Sequence, residues 1–102
     1  MQATGQLPNQ AKFRLRDDQQ EAEANVSLQS GDIGMVHGIV DKPGCEFDVV
    51  IQNMAGQEHA RRHFKPGNER FGERMNLSLP DTYYKIKVEN VKGTKSIDVF
   101  VE

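Results

Sequence analysis

Alternation of apolar and polar residues with a period of two is the feature that most constrains how this chain folds. It recurs in seven segments, which are residues 12–16, 22–28, 33–41, 45–52, 75–79, 83–89 and 96–101. In the segment 45–52, for example, Phe47, Val49 and Ile51 fall on one side, whereas Glu46 and Asp48 fall on the other. A period of two places successive side chains on opposite faces of a β-strand. The pattern therefore predicts strands that each bury one face.

Turn signals separate these segments and indicate the fold class. In the turn at 41–44, Pro43 fixes φ and Gly44 accepts a positive φ. Similar signals are Ser-Gly-Asp at 30–32, Lys-Pro-Gly-Asn at 65–68, Pro-Asp at 80–81 and Lys-Gly-Thr at 92–94. Short strands about ten residues apart and joined by turns predict an all-β fold. We expect a single antiparallel β-sandwich of about 7–8 strands, either Ig-like or jelly-roll-like.

Two local departures from the alternation predict specific features. Gly34 and Gly38 interrupt the segment 33–41, and glycine inside a strand predicts a β-bulge or the close approach of another backbone. Residues 17–24 are rich in Gln, Glu and Ala, which favour helix. We therefore expect at most a turn or two of helix before the strand that begins in this region.

Length and composition bound the domain organisation. With 102 residues, 36% hydrophobic residues and no Trp, the chain is long enough for one domain with a thin core. Residues 1–11 are polar and unpatterned, so we predict a flexible N-terminal segment there and a single β-sandwich domain over 12–102. No window approaches the length of about eighteen apolar residues that a membrane span requires.

One internal repeat links two of the predicted strands. PGCEFDVVIQNMAG (43–56) aligns without gaps with PDTYYKIKVENVKG (80–93), and each copy ends in Asn-x-x-Gly. The simplest explanation of the repeat is that both segments are a strand between two turns, and strands and turns favour the same residue types wherever they occur. The alternative is that the two strands occupy equivalent places in the two halves of the sandwich. If the strands were neighbours, the acidic face of the first copy could pair with the lysines of the second.

The stretch 56–74 concentrates charge and two of the three histidines. It has five basic and three acidic residues in a chain whose net charge is −2. As a strand it would place His59, Arg61 and His63 on one face. A row of this kind, with Phe71 near it, could engage an acidic sugar, a phosphate or an acidic partner. The alternative is a solvated strand and loop whose charges protect an exposed sheet edge.

The spacing of His59 and His63 also raises the question of a metal site. On a helix their Cβ atoms would lie about 6 Å apart and could share a zinc ion. In a strand they would lie about 13 Å apart and could not. The turn at 65–68 favours a strand, and the two arginines between the histidines oppose a cation. We therefore predict neither a metal site nor a cofactor.

Signatures of catalysis and of nucleic-acid binding are absent from the sequence. It contains no Gly-x-Ser-x-Gly, His-Glu-x-x-His, phosphate-binding glycine loop or Cys-x-x-Cys. Cys45 lies in an apolar alternation, which predicts a small buried side chain rather than a nucleophile. RNA-binding and helix-turn-helix signatures are also absent, and the net charge of −2 does not suit the neutralisation of phosphates.

The run TYYKIKVENVKGTKSIDVFVE (82–102) resembles the last hairpin of bacterial extracellular β-sandwich modules, such as pre-peptidase C-terminal domains. Those domains tend to carry paired aspartates near an early strand, where this chain has Gly-Asp-Ile-Gly at 31–34. Because the resemblance covers only some twenty residues, we assign no family from it.

These observations predict a non-catalytic extracytoplasmic module, periplasmic or secreted, that binds a protein or a glycan. The alternative is a small inhibitor or immunity-type protein that blocks an enzyme, and the enzyme hypothesis is a small hydrolase that uses His59 or His63. The candidate contact residues, basic except for one outward-facing ring, are Arg61, Arg62, His63, Lys65, Arg70 and Tyr83.

Overall fold

The computed structural model describes residues 9–28 and 32–102, and within these ranges the chain forms eight β-strands and no helix. The strands are β1 (Gln10–Arg14), β2 (Ala22–Ser27), β3 (Asp32–Val40), β4 (Glu46–Asn53), β5 (Glu58–Phe64), β6 (Arg70–Ser78), β7 (Tyr83–Lys92) and β8 (Ser96–Val101). All of the pairings between them are antiparallel. The predicted all-β fold is confirmed.

The strands form two four-stranded sheets. The first sheet has the order β1-β8-β3-β6, and the second sheet has the order β2-β7-β4-β5. Consecutive strands therefore lie in different sheets, except for the β4–β5 hairpin. Two facing sheets of eight strands in this order form a jelly roll. Of the two predicted arrangements, the jelly-roll-like one is found.

Several boundaries differ from the predicted ones. β1 begins at Gln10, and Asn9 Nδ2 donates a hydrogen bond of 3.0 Å to Val101 O, so residues 9–11 are attached to β8. The rest of the predicted flexible segment, residues 1–8, lies outside the described residues, as do the first two residues of the predicted turn at 30–32. β6 begins at Arg70 rather than at residue 75. Residues 17–21 connect β1 to β2 without helix.

The core lies between the two sheets and is filled by the inward residues of both. Tyr84 and Phe47 are the largest side chains that are fully buried. Phe47 packs against Phe71 with 5.1 Å between ring centroids, and Phe64 lies 4.8 Å from Phe71 by the same measure. Because Phe64 comes from β5 and Phe71 from β6, this aromatic cluster joins the two sheets along one side of the sandwich.

Both glycines of β3 lie where the regular packing of the sheet is interrupted. The register with β6 shifts between Ile33 and Met35, so that Met75 and Asn76 lie opposite Gly34 alone and the β-bulge is on β6. At Gly38 a Cβ atom would lie 1.9 Å from Asp98 O and 2.6 Å from Phe71 Cζ. The absence of a side chain at Gly38 therefore lets β8 and the ring of Phe71 approach β3.

The internal repeat corresponds to β4 and β7, which are adjacent strands of the second sheet. They are therefore not counterparts in separate halves of the sandwich. Their register pairs Asp48 with Glu89, Val50 with Lys87 and Gln52 with Lys85. Glu46 and Asp48 are therefore not partners of Lys85 and Lys87, although the sequence had suggested that pairing. Lys87 Nζ instead lies 3.0 Å from Glu89 Oε2 on its own strand.

Antiparallel pairing collects the connections at two ends of the sandwich. We call one the turn end, which holds the connections at residues 15–21, 41–45, 65–69 and 93–95. We call the other the terminal end, which holds the connections at residues 54–57 and 79–82 together with Asn9 and Glu102. The registers place these ends apart, since Glu46 pairs with Lys92 at one end of the second sheet and Asn53 pairs with Tyr84 at the other.

Candidate functional site

The outer face of the second sheet carries a charged cluster that includes Arg61. The guanidinium of Arg61 contacts three carboxylates. Its Nη1 lies 2.8 Å from Glu89 Oε1 and 3.3 Å from Asp48 Oδ2, and its Nη2 lies 3.0 Å from Glu58 Oε1. Hydrogen bonds to Glu58 and Glu89 raise the pKa of Arg61. This predicted contact residue is thus already paired within the chain.

His63 lies beside Asp48 on the same face, because the two residues are register partners on β5 and β4. His63 Nδ1 lies 2.7 Å from Asp48 Oδ1, and His63 Nε2 lies 3.1 Å from Glu46 Oε2. The hydrogen bond with Asp48 is the main reason why the pKa of His63 is raised. Burial acts to raise the pKa of Asp48, but the hydrogen bonds from His63 and Asn90 outweigh it, and the pKa of Asp48 is lowered.

One apolar residue lies beneath this charged cluster. Val50 points outward from β4 and yet is 0% exposed. Its register partners on the two neighbouring strands are Arg61 and Lys87. Long basic side chains cover apolar surface with their methylene stems while their charged groups remain in water. The cluster therefore has a structural role as a cover for this face of the sheet.

The alternation predicted for the histidines is wrong at His59. A register shift between Ile51 and Gln52 places a bulge at His59, which has no register partner on β4. As a result His59 packs edge-on against the ring of Tyr84, with 5.8 Å between ring centroids, while His63 lies on the outer face. The Nε2 atom of His59 is buried and has no hydrogen-bond partner. The two histidines therefore do not share a face.

The other basic candidates lie on different surfaces. Arg62 faces the opposite side of β5 from Arg61, and its Nε lies 2.5 Å from Glu73 Oε2 on β6. Lys65 is exposed in the connection at the turn end, and Arg70 is exposed at the start of β6 in the first sheet. Of the basic candidates, the structure brings only Arg61 and His63 together on one face.

Tyr83, the remaining candidate, lines a cleft at the terminal end. The cleft has a volume of about 430 Å³ and is lined by Asn53, Met54, Ala55, Asp81, Thr82 and Tyr83. Tyr83 is 64% exposed and Met54 is 49% exposed, which makes them the two most exposed large hydrophobic residues of the described chain. This cleft, which we call the Tyr83 cleft, therefore combines accessible apolar surface with nearby hydroxyl, amide and carboxyl groups.

Hydrogen bonds fix both walls of the Tyr83 cleft. On one side, Asn53 Oδ1 accepts bonds of 3.0 Å and 2.8 Å from the backbone N–H groups of Ala55 and Gln57. On the other side, the backbone N–H of Asp81 donates a bond of 2.6 Å to the hydroxyl of the buried Tyr84. The walls are held in place, so the cleft is preformed.

The sequence carried signals for the additional residues of the cleft, although their grouping was missed. Asn53 belongs to the Asn-x-x-Gly ending of the first repeat copy, and Asp81 follows the Pro80 turn of the second copy. Each motif by itself predicts only a turn. Because β4 and β7 are antiparallel neighbours, the end of one copy lies beside the start of the other. The pairing of β4 with β7, which no local motif indicates, therefore brings these residues together.

Within 9–28 and 32–102, no group of three or more His, Cys, Asp or Glu side chains is arranged to hold a metal ion. Over the same ranges, no helix has the length and apolar character needed to cross a membrane.

The jelly roll defines the structural class of this chain, and comparison with known proteins gives its neighbours. No protein family matches the sequence, and no curated protein matches it either. Among solved structures, TmCBM61 in complex with beta-1,4-galactotriose has a TM-score of 0.51 and 17% identity, covering 94% of this chain and 62% of that chain. This chain therefore spans less than two thirds of the length of that module.

A second solved structure with this fold is the lectin domain of lectinolysin complexed with Lewis B antigen. It has a TM-score of 0.53 and 23% identity, covering 91% of this chain and 69% of that chain. At these identities the two similarities establish a shared β-sandwich fold. The structural neighbours of this chain are thus carbohydrate-binding modules and lectin domains.

Proposed function

We propose that this chain is a non-catalytic, glycan-binding module and that the Tyr83 cleft is its binding site. The observation that carries the proposal is the position of Tyr83 and Met54, which are exposed together in one preformed cleft beside polar groups. The cleft volume of about 430 Å³ is in the range of small-ligand sites, which run from about 300 to 1,000 Å³. The fold shared with a galactotriose-binding module and a lectin domain supports the same function.

The chemistry of the cleft suits a sugar ring. A pyranose has an apolar face of C–H groups, which packs on the face of an aromatic ring, and a rim of hydroxyl groups that need hydrogen-bond partners. Tyr83 supplies the aromatic ring. The side chains of Asp81 and Thr82 have no hydrogen-bond or ion-pair partner among the described residues, so they are available to sugar hydroxyls.

We place the module outside the cytoplasm, in the periplasm or as a secreted domain, because glycans of this kind are encountered there. A protein partner or an inhibitor role would use the basic stretch 56–74 instead. That alternative has less support, because Arg61, Arg62 and His63 are all ion-paired within the chain.

The proposal is tested by titrating the protein with neutral oligosaccharides, including β-1,4-galactotriose, and following heat and backbone NMR shifts. We expect saturable shifts at residues 53–55 and 81–83. Tyr83→Ala should weaken binding on the order of tenfold or more, because the stacking surface is removed. Tyr83→Phe keeps the ring and should bind nearly as well as the wild type.

Thermal unfolding provides the control, since Tyr83 is 64% exposed and its replacement should leave Tm unchanged. Equal affinity of Tyr83→Ala and the wild type would remove the Tyr83 cleft from the site. If no glycan in a broad neutral panel binds, the proposed glycan-binding function is contradicted.

A further inference from the structure

A second cleft lies at the turn end, opposite the Tyr83 cleft. It has a volume of about 360 Å³ and lies between the β1–β2 connection and the β7–β8 turn, with Lys42 from the β3–β4 turn at its border. Its charged lining residues are Arg16, Asp17, Lys42, Lys92 and Lys95. Four cations thus face one carboxylate, in a chain whose net charge is −2. We call it the basic cleft.

Backbone contacts hold the two main walls of the basic cleft together. Leu15 N donates a hydrogen bond of 2.7 Å to Lys95 O, and Val91 N donates one of 3.0 Å to Gln20 O. These two bonds attach the β1–β2 connection to both sides of the β7–β8 turn. The basic cleft is therefore built by the fold and does not depend on side-chain conformations alone.

Side-chain contacts shape the rest of the basic cleft. The Gln19 amide bridges its own connection, since its Oε1 accepts a bond of 3.2 Å from Arg16 N and its Nε2 donates one of 2.9 Å to Glu21 O. The Thr94 hydroxyl, which is nearly buried, donates to Asp41 Oδ1. This contact fixes the turn that carries Lys42 against the β7–β8 turn.

Three of the four cations of the basic cleft have no ion pair in the described residues, and the Asp41 carboxylate beside the cleft accepts from Thr94. Lys95 is paired with Asp17. Over the ranges that the structure describes, Arg16, Lys42 and Lys92 take part in no ion pair. Two further acids, Asp18 and Glu21, belong to the same connection but do not line the cleft. In contrast, Arg61, Lys87 and His63 on the outer face of the second sheet all contact carboxylates.

We propose that the basic cleft is a binding site for an anionic oxygen group, a sulfate or a carboxylate, carried by an acidic polysaccharide. Cationic side chains around a preformed cleft form charge-assisted hydrogen bonds to such groups. The assignment to a polysaccharide rests on the proposed function, whereas anion binding at this cleft does not. The sequence has no RNA-binding or helix-turn-helix signature, which favours a glycan over nucleic acid.

The test compares polymers that differ only in charge. The wild-type chain is titrated with dextran sulfate against dextran, and with polygalacturonate against galactan, which distinguishes sulfate from carboxylate. A single-stranded DNA oligonucleotide serves as a polyanion of another class. We expect binding to at least one acidic glycan, weaker binding as salt increases, and saturable NMR shifts at the amides of residues 92–95.

The variant Lys42→Gln/Lys92→Gln should lower affinity for the acidic glycan by about tenfold or more, because two charge-assisted bonds are lost. The matched control is Lys12→Gln/Arg74→Gln, which removes the same charge from exposed positions outside the cleft and should change affinity by less than about twofold. Equal losses in the two double variants would overturn the site, since binding would then follow total charge.

Two further outcomes also decide against the proposal. An absence of binding to every polyanion would reject the anion site, and DNA binding as tight as the binding of either acidic glycan would reject the polysaccharide assignment. Tyr83→Ala is measured in parallel. Loss of neutral-glycan binding in Tyr83→Ala with retained acidic-glycan binding would support two separate sites, so a failure of the basic cleft can be distinguished from a failure of the Tyr83 cleft.

Discussion

Arg62 on β5 and Glu73 on β6 form an ion pair between the edge strands of different sheets, with 2.5 Å between Arg62 Nε and Glu73 Oε2. Register partners on neighbouring antiparallel strands lie on the same face of the sheet. Arg62 is the register partner of the buried Val49, and Glu73 is the register partner of the buried Val36, so both side chains start on the inner face. At an interior strand such charges would be buried. At the edge they meet in water and cover the open side of the core.

We expect this pair to contribute modestly to stability. In a double-mutant cycle with Arg62→Gln and Glu73→Gln, the coupling energy should be about 0.2–1 kcal/mol, since both side chains are over a third exposed and solvent screens their attraction. The measurement is urea unfolding of the four proteins at low and high salt. The coupling should decrease as salt increases, and zero coupling at low salt would mean that the pair does not form in solution.

Gly38 should be the least replaceable residue of β3. A Cβ atom there meets a backbone oxygen of β8 at 1.9 Å, so Gly38→Ala forces the strands apart and should cost about 1–3 kcal/mol or more in the free energy of unfolding. Gly34→Ala is the matched control on the same strand, because its nearest atom, Glu102 O, lies at 3.7 Å. Chemical denaturation of both variants checks this, and similar losses of stability would contradict the close approach.

His63 should make the stability of the protein dependent on pH. Its pKa is raised in the folded state, so it stabilises the fold below the unfolded value of about 6.5 and loses this effect as the pH increases through its folded pKa. The lowered pKa of Asp48 sets the acid limit, because its contribution is lost as the pH decreases through that pKa. His63→Gln should therefore destabilise the protein more at pH 5 than at pH 8.5.

The comparison uses urea unfolding at the two pH values. Asp48→Asn removes the main partner of His63, and in that background the pH-dependent effect of His63→Gln should largely disappear. If His63→Gln has the same effect at both pH values, the pairing of His63 with Asp48 has no role in stability.

Cys45 should resist modification in the native protein. The side chain is buried, and burial raises the pKa of its thiol, so the reactive thiolate is scarce and shielded from reagents. Iodoacetamide treatment followed by intact-mass measurement should show little labelling in buffer and complete labelling in urea. Rapid native labelling at neutral pH would indicate an accessible thiolate instead.

The fold was predictable from the sequence because a strand that buries one face shows alternating apolar and polar residues. Phe47, Val49 and Ile51 alternate on β4 as predicted, and all three are buried. β6 was predicted only from residue 75 onward, because an edge strand with exposed residues on both sides, such as Glu73 and Arg74, has little alternation. The bulge at His59 was not predictable, because it results from the register with β4.

The candidate sites were less predictable, because both depend on which connections meet. The exposed ring of Tyr83 was predicted from its place beside the buried Tyr84. Met54, which lines the same cleft, lies 29 residues before Tyr83 in the sequence and is brought close to it by the pairing of β4 with β7. The basic cleft likewise combines Arg16 and Lys42 from two separate connections with Lys92 at the end of β7, so no local motif indicates it.

The contact between Asn9 and Val101 has a practical consequence. Val101 N donates a hydrogen bond of 3.0 Å to Asn9 O, so the first residue of the range 9–28 lies beside the last strand, β8. A domain of this kind can be inserted into a surface loop of another protein without separating the two ends of that loop. The host would then lie at the terminal end, which also holds the Tyr83 cleft, and the basic cleft would lie at the opposite, turn end of the inserted domain.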